Sequence, residues 1–209
     1  SEGKPYFSNV TFTLNRDDKV AFISRDHIAV STFFDVLLDL IPSDYGEIKW
    51  GSTITKSYFP IDNAPFFSEN MTLIEWLQQY SVEKSEIFIR GFLGKMLFSG
   101  DEALKKTSVL SGGEKVRCML SRMMLSNANC LIIDEPTNHL DMETIIAFNN
   151  AISEWKHVAL FSSRDHTFNQ TASNRIIELT PKGIIDKQMS YDEYIFDEQI
   201  KAIQHKMYL

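Results

Sequence analysis

With 209 residues and 44% apolar content, the chain can bury one sizeable core, and one domain with a small subdomain is its natural organisation. A net charge of −7 and a pI near 5.2 argue against a broad nucleic-acid-binding face, while leaving room for a local basic patch. Because the sequence shows neither a signal peptide nor an apolar run long enough to span a bilayer, we expect a soluble, cytoplasmic protein with no membrane partner.

The amino-terminal part of the chain predicts short strands around one helix. Alternating apolar residues and threonines predict a half-buried strand over residues 10–14, and Lys19–Ile23 predicts the next strand. After a loop, a set of apolar residues has helical spacing: Phe34, Leu37, Leu38 and Ile41. We expect this helix to stop near Pro42, before two further short strands at 46–51 and 57–59.

Residues 63–110 change to a helical pattern, which indicates a small helical subdomain. Thr72 and Glu75 form a capping box, in which each side chain accepts the other residue's backbone N–H, so a helix should open there. Apolar residues at helical spacing predict a second helix: Ile87, Phe92, Leu93, Met96 and Leu97. The aromatic residues of this segment are better explained as core than as a surface that stacks on bases.

Ser111 and Glu114 form another capping box, which predicts a helix that begins at Gly112. One face of this helix is apolar and consists of Val116, Met119, Leu120, Met123 and Met124. Gly112 and Gly113 remove side chains from the first turn, where backbone N–H groups and the positive end of the helix dipole point outward. Such an end suits an anion, most naturally a phosphate, although an ordinary capped helix is the alternative.

Residues 130–133 form an unbroken apolar run, which predicts a parallel strand buried on both faces. The strand delivers Asp134 and Glu135 to its carboxyl end, the edge where open α/β sheets bind ligands, and Pro136 prevents it from continuing. Two adjacent carboxylates there can divide the work: one holds a Mg²⁺ through water, and the other orients or deprotonates an attacking water. The alternative is an acidic surface turn, which the preceding apolar run disfavours.

The remainder of the chain predicts a helix, a strand, a hairpin and a tail. The helix is indicated by apolar residues at helical spacing: Ile145, Phe148, Ile152 and Trp155. Residues 158–161 have the pattern of a buried strand, and strands at 175–179 and 184–186 enclose a Pro-Lys-Gly turn. The tail at 186–209 has the pattern of an amphipathic helix folded on its own domain, with binding to a partner as the alternative.

Two segments together carry a family resemblance. Leu-Ser-Gly-Gly-Glu at 110–114 and Leu-Ile-Ile-Asp-Glu-Pro-Thr-Asn-His-Leu-Asp at 131–141 resemble the signature and the Walker B and D-loop segments of ATP-binding cassette (ABC) ATPase domains. Asn138 and His139 make the second segment similar to the F subfamily, whose members carry two cassettes on one chain and generally act on the ribosome in translation. The resemblance runs from about residue 7 to residue 194.

The resemblance implies an α/β fold, the ABC-type P-loop NTPase domain, over residues 1–185. It implies a mixed sheet, a small antiparallel β part and a reduced α-helical subdomain, with ATP and Mg²⁺ as cofactors. By their match to the family's motifs, Ser31 and Asp134 would hold the Mg²⁺, Thr32 would lie at the phosphates, and Glu135 would be the catalytic residue.

The loop after Lys19–Ile23 is the main departure from the family pattern, which has the phosphate-binding loop G-x-x-x-x-G-K-[ST] there. Ser24 and Ala29 replace the glycines, and Val30 replaces the lysine. Side chains with a Cβ resist left-handed conformations by roughly 1–2 kcal/mol per residue. The lost lysine removes a hydrogen bond of about 1.5–3 kcal/mol, which is about 10- to 100-fold in affinity. We therefore predict weak or absent ATP binding by this domain alone.

Further departures concern other groups around the nucleotide. Arg25 is an alternative cation for the missing lysine, but it stands five positions earlier, on the other limb of the loop. The family's Mg²⁺-contacting glutamine aligns with Ile61, which we expect to pack. The histidine at the γ-phosphate aligns with Arg164, which can hold a phosphate but cannot move protons. His166 is expected to be solvated or packed, and the adenine-stacking aromatic residue falls at or before Ser1.

In the family, an ATP site forms between two cassettes, with the phosphate loop and Walker B segment of one facing the signature of the other. This chain keeps the groups that it would lend to a partner: Ser111, Gly112, Gly113, Glu114 and Asp141. Our hypothesis is that it is the second cassette of an F-type protein and completes an ATP site with another cassette, of the same chain or of a dimer mate. The ribosome and its RNA are partners implied by the resemblance alone.

Two other functions stay open. The domain can be an interaction scaffold in which neither ATP site works. It can also be the ATPase subunit of an ABC transporter, which Asn138 and His139 disfavour.

Overall fold

A mixed sheet lies at the centre of the fold. The structure is a computed structural model and describes residues 5–60, 62–137 and 140–209. Within these residues the strands are β1 (Lys19–Ile23), β2 (Lys56–Phe59), β3 (Cys130–Asp134), β4 (Val158–Ser162), β5 (Arg175–Thr180) and β6 (Gly183–Lys187). They lie in the order β2-β3-β4-β1-β5-β6, and all neighbours are parallel except β5 and β6, which form the predicted hairpin. The predicted α/β fold with a mixed sheet is confirmed.

Helices cover both faces of the sheet. The α-helices of the described ranges are α1 (His27–Leu37), α2 (Leu73–Tyr80), α3 (Glu86–Lys95), α4 (Gly112–Leu125), α5 (Met142–Glu154), α6 (His166–Ala172), α7 (Tyr191–Phe196) and α8 (Glu198–Tyr208). Short 3-10 helices lie at Ala64–Phe67, Gly100–Leu104 and Thr107–Val109. The two predicted capping boxes are present, at the starts of α2 and α4. None of the helices in these ranges combines the length and apolar character that crossing a membrane requires.

The sheet separates two apolar cores. Successive side chains of a strand face opposite sides, so Val20 and Phe22 of β1 join the core that includes α1, whereas Ala21 joins the core formed with α2 to α8. In the α1 core, the ring centroids of Phe22 and Phe33 lie 5.1 Å apart. Because β1, β3 and β4 are covered on both faces, their sequences are continuous apolar runs.

Two predicted strands are not among the assigned ones. Residues 10–14 keep the predicted alternation of partly buried and exposed side chains, and Phe12 packs on Phe22 with 5.8 Å between ring centroids. Residues 46–51 are almost wholly exposed. A stable strand needs both a paired neighbour and a buried face. In the described structure the first segment lacks the paired neighbour and the second lacks the buried face.

The helical predictions differ from the structure in three details. Helix α1 ends at Leu37, earlier than predicted. In α3, Ile89 and Leu93 are buried while Ile87 is 85% exposed, because residues two apart on a helix point to nearly opposite sides. The tail forms two helices instead of one, because Asp197 ends α7 and caps α8.

Arg175 on β5 ties the amino-terminal segment to the hairpin of β5 and β6. Its guanidinium donates to Asp186 through Nε at 2.8 Å and Nη2 at 2.6 Å, and through Nη1 to Asp18 at 2.7 Å and to the Thr13 carbonyl at 2.9 Å. Both Arg175 and Asp18 are buried. A buried ion pair is stable only while it is complete, because a charge left alone in the interior keeps its desolvation cost.

Replacing Arg175 with leucine should therefore lower the free energy of unfolding by about 3–5 kcal/mol, because two carboxylates lose their common cation. Urea denaturation measures this change. The control is Lys201→Leu, since Lys201 forms an exposed ion pair with Glu198 at 2.7 Å, and there we expect less than about 1 kcal/mol. Equal costs at the two positions would contradict the role assigned to Arg175.

Candidate functional site

Residues from three loops meet at the carboxyl edge of the parallel strands. Because β1, β3 and β4 run in the same direction, the residues that follow them share this edge. A cavity of about 390 Å³ opens here, and its lining includes Arg25 after β1, Glu135 after β3 and Arg164 after β4. Another cavity, of about 490 Å³, lies near Arg16 and Lys156 at the opposite edge and contains none of the predicted site residues.

Asp134 and Glu135 lie at the predicted strand end, where one serine contacts both residues. Asp134 is 1% exposed at the end of β3. The hydroxyl of Ser162 donates to Asp134 Oδ1 at 2.6 Å and accepts the backbone N–H of Glu135 at 3.0 Å. Glu135 has a φ of +45°, in the left-handed region that residues other than glycine seldom adopt. The sequence did not reveal Ser162, because its contacts depend on β3 and β4 being neighbours.

The arginine that aligns with the family's histidine reaches the cavity and faces the candidate catalytic carboxylate. Arg164 Nε lies 3.8 Å from Glu135 Oε1. His166 points away from them: its Nε2 lies 2.8 Å from Asp192 Oδ1, and its ring packs against Tyr191 with 5.5 Å between centroids. His166 is thus exposed and in contact with α7, which agrees with the expectation that it is solvated or packed.

A third carboxylate, Asp35 on α1, lies near Asp134. Burial and the charge of Asp134 raise the pKa of Asp35 above its ordinary value, and burial, Asp134 and Asp35 raise the pKa of Tyr58 to about 12. The place of Asp35 beside the candidate Mg²⁺ residues could be inferred from the sequence, because Asp35 follows Ser31 by one helical turn. No group of three or more His, Cys, Asp or Glu in the described ranges is placed to hold a metal ion. A Mg²⁺ at Ser31 and Asp134 would therefore need oxygen ligands from water and phosphate.

The loop that follows β1 is closed by hydrogen bonds within the chain. Ser24 Oγ donates to the carbonyl of Leu179 at 2.9 Å and accepts the N–H of Asp26 at 3.3 Å. Asp26 caps α1, because its Oδ1 accepts the N–H of Ile28 at 3.0 Å. A carboxylate thus lies at the positive end of α1, the place that an anion would favour. Val30, at the position of the family's lysine, is buried.

Tyr208 on α8 engages a further amide of this loop. Its hydroxyl accepts the N–H of Arg25 at 3.1 Å, and the guanidinium carbon of Arg25 lies 4.2 Å from the centre of its ring. Burial raises the pKa of Tyr208 to about 12, so the hydroxyl stays protonated at neutral pH and donates to Glu178, 2.9 Å away. Glu178 also accepts from Tyr194 at 2.6 Å and from Gln204 at 2.7 Å, which fixes α7 and α8 to β5. Arg25, the alternative cation for the missing lysine, stacks on α8.

The signature segment forms the start of α4. Ser111 Oγ accepts the N–H of Glu114 at 3.3 Å, and Glu114 Oε2 accepts the N–H of Ser111 at 2.8 Å. Partial burial opposes ionisation of Glu114, but its hydrogen bonds with Lys105 and Ser111 outweigh it and hold the pKa of Glu114 below its ordinary value. A Cβ added to Gly112 would meet no atom within 4 Å, so this part of the helix end faces open space.

The signature helix and Asp141 approach each other closely at Gly113. A Cβ on Gly113 would lie 3.2 Å from Thr144 Oγ1 and 3.5 Å from Asp141 Oδ2. Asp141 caps α5 by accepting the N–H of Thr144 at 2.7 Å. Arg117 on α4 donates to Thr144 Oγ1 at 2.8 Å and joins the two helices. The missing side chain of Gly113 therefore lets α4 pack closely against Asp141 and Thr144, in addition to its predicted role of exposing the helix end.

The remaining predictions concern residues about which the structure says less. Ser31 and Thr32 lie half-buried on α1. Ile61, Asn138 and His139 lie outside the described residues, as does Ser1, where the adenine-stacking residue would fall.

Comparison with known sequences gives consistent matches. The family model described as ABC transporter matches residues 7–138. The chain is 52% identical over 209 residues to the uncharacterized ABC transporter ATP-binding protein YkpA of Bacillus subtilis, which covers 99% of this chain and 39% of YkpA. It is 30% identical over 202 residues to ABC transporter F family member 2 of Arabidopsis thaliana, which covers 96% of this chain and 30% of that protein. The chain thus spans about two fifths or less of the length of these relatives.

Solved structures share the fold. The structure of an ATP binding subunit of an ABC transporter superposes with a TM-score of 0.77 at 18% identity, over 99% of this chain and 95% of that one. A chain in the complex of archaeal ribosomal stalk protein aP1 with archaeal ribosome recycling factor aABCE1 superposes with a TM-score of 0.72 at 21% identity, over 88% of this chain and 37% of that one. At these identities the likeness concerns the fold alone.

Gly113→Ala should make the domain about 1–2 kcal/mol less stable than Gly112→Ala, because only the first variant presses a methyl group against Thr144 and Asp141. The two glycines are neighbours in the same helical turn, so the second variant controls for helix propensity. Thermal unfolding followed by circular dichroism measures the difference. Equal stabilities would contradict the close approach of α4 to Asp141.

Proposed function

Since the chain belongs to the ABC transporter ATPase family, we propose that it is the second cassette of an F-type protein and serves an ATP site centred on another cassette. It lends its signature helix and Asp141 to that composite site. The observation that carries the proposal is the contrast between two helix ends: a carboxylate and two hydroxyls of the chain occupy the start of α1, whereas the start of α4 faces open space at Gly112 beside its capping box.

The contacts at the start of α1 do not fit a nucleoside triphosphate. The carboxylate of Asp26 lies where a phosphate would bind and would repel it. The N–H groups of Arg25 and Asp26 already have acceptors, so a phosphate would have to displace Tyr208 and Ser24. Val30 offers no charge in return. The site is therefore degenerate in its hydrogen bonding as well as in its sequence.

Four groups beside this loop keep the family's residue types. By their match to the motifs we assign Ser31 and Asp134 to the Mg²⁺ position, Thr32 to a phosphate position and Glu135 to the catalytic position, and we assign Arg164 to the phosphate position at which the family has histidine. Arg164 Nε lies 3.8 Å from the carboxylate of Glu135. ATP and Mg²⁺ are cofactors of the family, but we expect this domain alone to bind and hydrolyse ATP weakly or not at all.

The start of α4 fits a phosphate carried by another cassette. The N–H groups of Gly112 and Gly113 and the hydroxyl of Ser111 lie at a helix end that attracts anions. Three exposed apolar side chains belong to the segments on either side of it: Val109 is 69%, Met142 70% and Ile146 53% exposed. Apolar side chains around a polar centre are typical of a surface that another protein covers.

A role in ribosome-associated translation is part of the proposal and is supported by relatives. One of these is named an ABC transporter F family member, and one structure with this fold is of an archaeal ribosome recycling factor with a ribosomal stalk protein. Such a protein would work in the cytoplasm. Because this domain carries a net charge of −7, we assign contacts with ribosomal RNA to other parts of the whole protein.

An interaction scaffold is the second candidate, and exposed apolar side chains of the helical subdomain favour it. Val82, between α2 and α3, is 73% exposed, and Ile87 and Phe88 in the first turn of α3 are 85% and 44% exposed. Exposed apolar groups of this kind are typical of protein contacts. In a scaffold, neither ATP site would need to work.

The isolated domain should give no saturable heat when it is titrated with Mg²⁺-ATP at tens of micromolar. Its phosphate-loop amides are already bonded to side chains of the same chain. Isothermal titration calorimetry makes the measurement. The other cassette of the full-length protein, with an intact G-x-x-x-x-G-K-[ST] loop, is the positive control. A clear low-micromolar isotherm from this domain would count against the proposal.

In the full-length protein, Ser111→Arg should abolish most of the steady-state ATPase activity, because the longer side chain fills the open end of α4. Thr72→Arg is the matched control, since Thr72 caps α2 through the same kind of box and the variant adds the same charge elsewhere. Each variant loses a cap that contributes about 1 kcal/mol. Equal losses of activity would point to folding, and unchanged activity in both Ser111→Arg and Glu135→Gln would favour the scaffold.

A further inference from the structure

Two consecutive serines at the end of β4 hold the acidic segment that follows β3. We propose that Ser162 and Ser163 are positioning residues for the surface that the domain lends to its partner: they hold Asp134, Glu135 and Thr137 and, through the contact of Thr137 with Leu140, place Asp141 against the signature helix. The inference rests on the proposed function in one respect, which is that this surface acts on a nucleotide held by another cassette.

Ser162 holds the beginning of the segment. Its hydroxyl donates to Asp134 at 2.6 Å and accepts the N–H of Glu135 at 3.0 Å. One hydroxyl on β4 therefore bonds to two adjacent residues at the end of β3. Ser162 and Asp134 are both buried, which shields these bonds from water. Glu135 has a φ of +45°, and a residue other than glycine stays in such a conformation only when its surroundings hold it.

Ser163 holds the end of the segment. Its hydroxyl lies 2.7 Å from Thr137 Oγ1 in a buried contact and accepts the N–H of Asp165 at 3.0 Å. Its backbone carbonyl accepts from the buried side chain of Asn169 on α6 at 2.8 Å. Ser163 is therefore fixed to α6 on one side and fixes Thr137 on the other.

Leu140 connects Thr137 to Asp141, which lies beside the signature helix. The carbonyl of Thr137 accepts the N–H of Leu140 at 3.3 Å, and Leu140 packs against the core. The next residue is Asp141, which caps α5 and closely approaches Gly113 on α4. A shift at Thr137 would therefore move Asp141 and with it the surface around Gly113.

The hydrogen bonds of the two serines give Asp134 and Glu135 a structural role in a domain whose phosphate-loop amides are bonded to its own side chains. Asp134 and Glu135 serve as the points at which the chain is attached to β4. Two serines that merely satisfied buried polar groups would make similar hydrogen bonds, but their loss would not change the position of Asp141. The experiment therefore compares both ends of the path.

Amide hydrogen exchange of the isolated chain tests the inference directly. In the wild type the Glu135 and Leu140 amides should be protected, and in the Ser162→Ala, Ser163→Ala double variant both should exchange about tenfold faster, the effect of losing one hydrogen bond. Ser81→Ala is the matched control, since Ser81 is also buried and donates to the Glu83 carbonyl at 2.7 Å, away from this segment. The Ser162→Thr, Ser163→Thr variant keeps both hydroxyls and should restore protection.

The full-length protein supplies the functional readout. The double alanine variant should lower kcat of the ATPase about tenfold and leave KM for ATP unchanged, because the partner cassette still holds the nucleotide. Ser81→Ala should change neither constant.

Two outcomes would overturn the inference: an unprotected Glu135 amide in the wild type, or exchange at Leu140 in the double alanine variant that is no faster than in the Ser81→Ala control. Where the double variant does not fold, an unprotected Glu135 amide in the wild type still overturns the inference. A full-length protein whose ATPase ignores Ser111→Arg would refute the proposed function, while the exchange data would still decide the role of the serines in placing Asp141.

Discussion

Burial of the central strands on both faces is the constraint on which the site depends. β1, β3 and β4 carry apolar side chains on each side, so helices must cover both faces, an arrangement typical of parallel strands, and these strands do run in parallel. Their carboxyl ends then meet at one edge. This is why the loop after β1, the acidic pair after β3 and Arg164 after β4 surround a single cavity, although they are far apart in sequence.

Two helix starts of the domain differ in what occupies them. The starts of α1 and α4 carry the same partial positive charge and the same kind of N–H donors. At α1 the chain supplies its own carboxylate, from Asp26, and its own hydroxyls, from Ser24 and Tyr208. At α4 the cap is a serine, the backbone N–H that the carboxylate of Glu114 accepts is that of Ser111, and Gly112 faces open space. The local sequence of each cap therefore decides whether the helix end is satisfied internally or can receive an anion from outside.

The elements that the sequence predicted well are those whose cause is local. Continuous apolar runs gave β1, β3 and β4, and two capping boxes gave the starts of α2 and α4. Alternation over residues 10–14 was misleading, because it reports a buried face and not a paired backbone neighbour. Ser162 and Tyr208 could not be predicted, since their contacts exist only after strands and helices from distant parts of the chain come together. Asp35 could have been found, because it lies one helical turn after Ser31.

The docking of α8 on the loop has a practical consequence for recombinant work. Tyr208 lies in the last turn of α8, and its hydroxyl accepts the Arg25 amide while its ring covers the Arg25 guanidinium. Trimming that turn to obtain a shorter expression product would release an N–H donor and a cation beside the cavity in one step. Nucleotide assays on the trimmed product would then overstate the affinity of the intact domain.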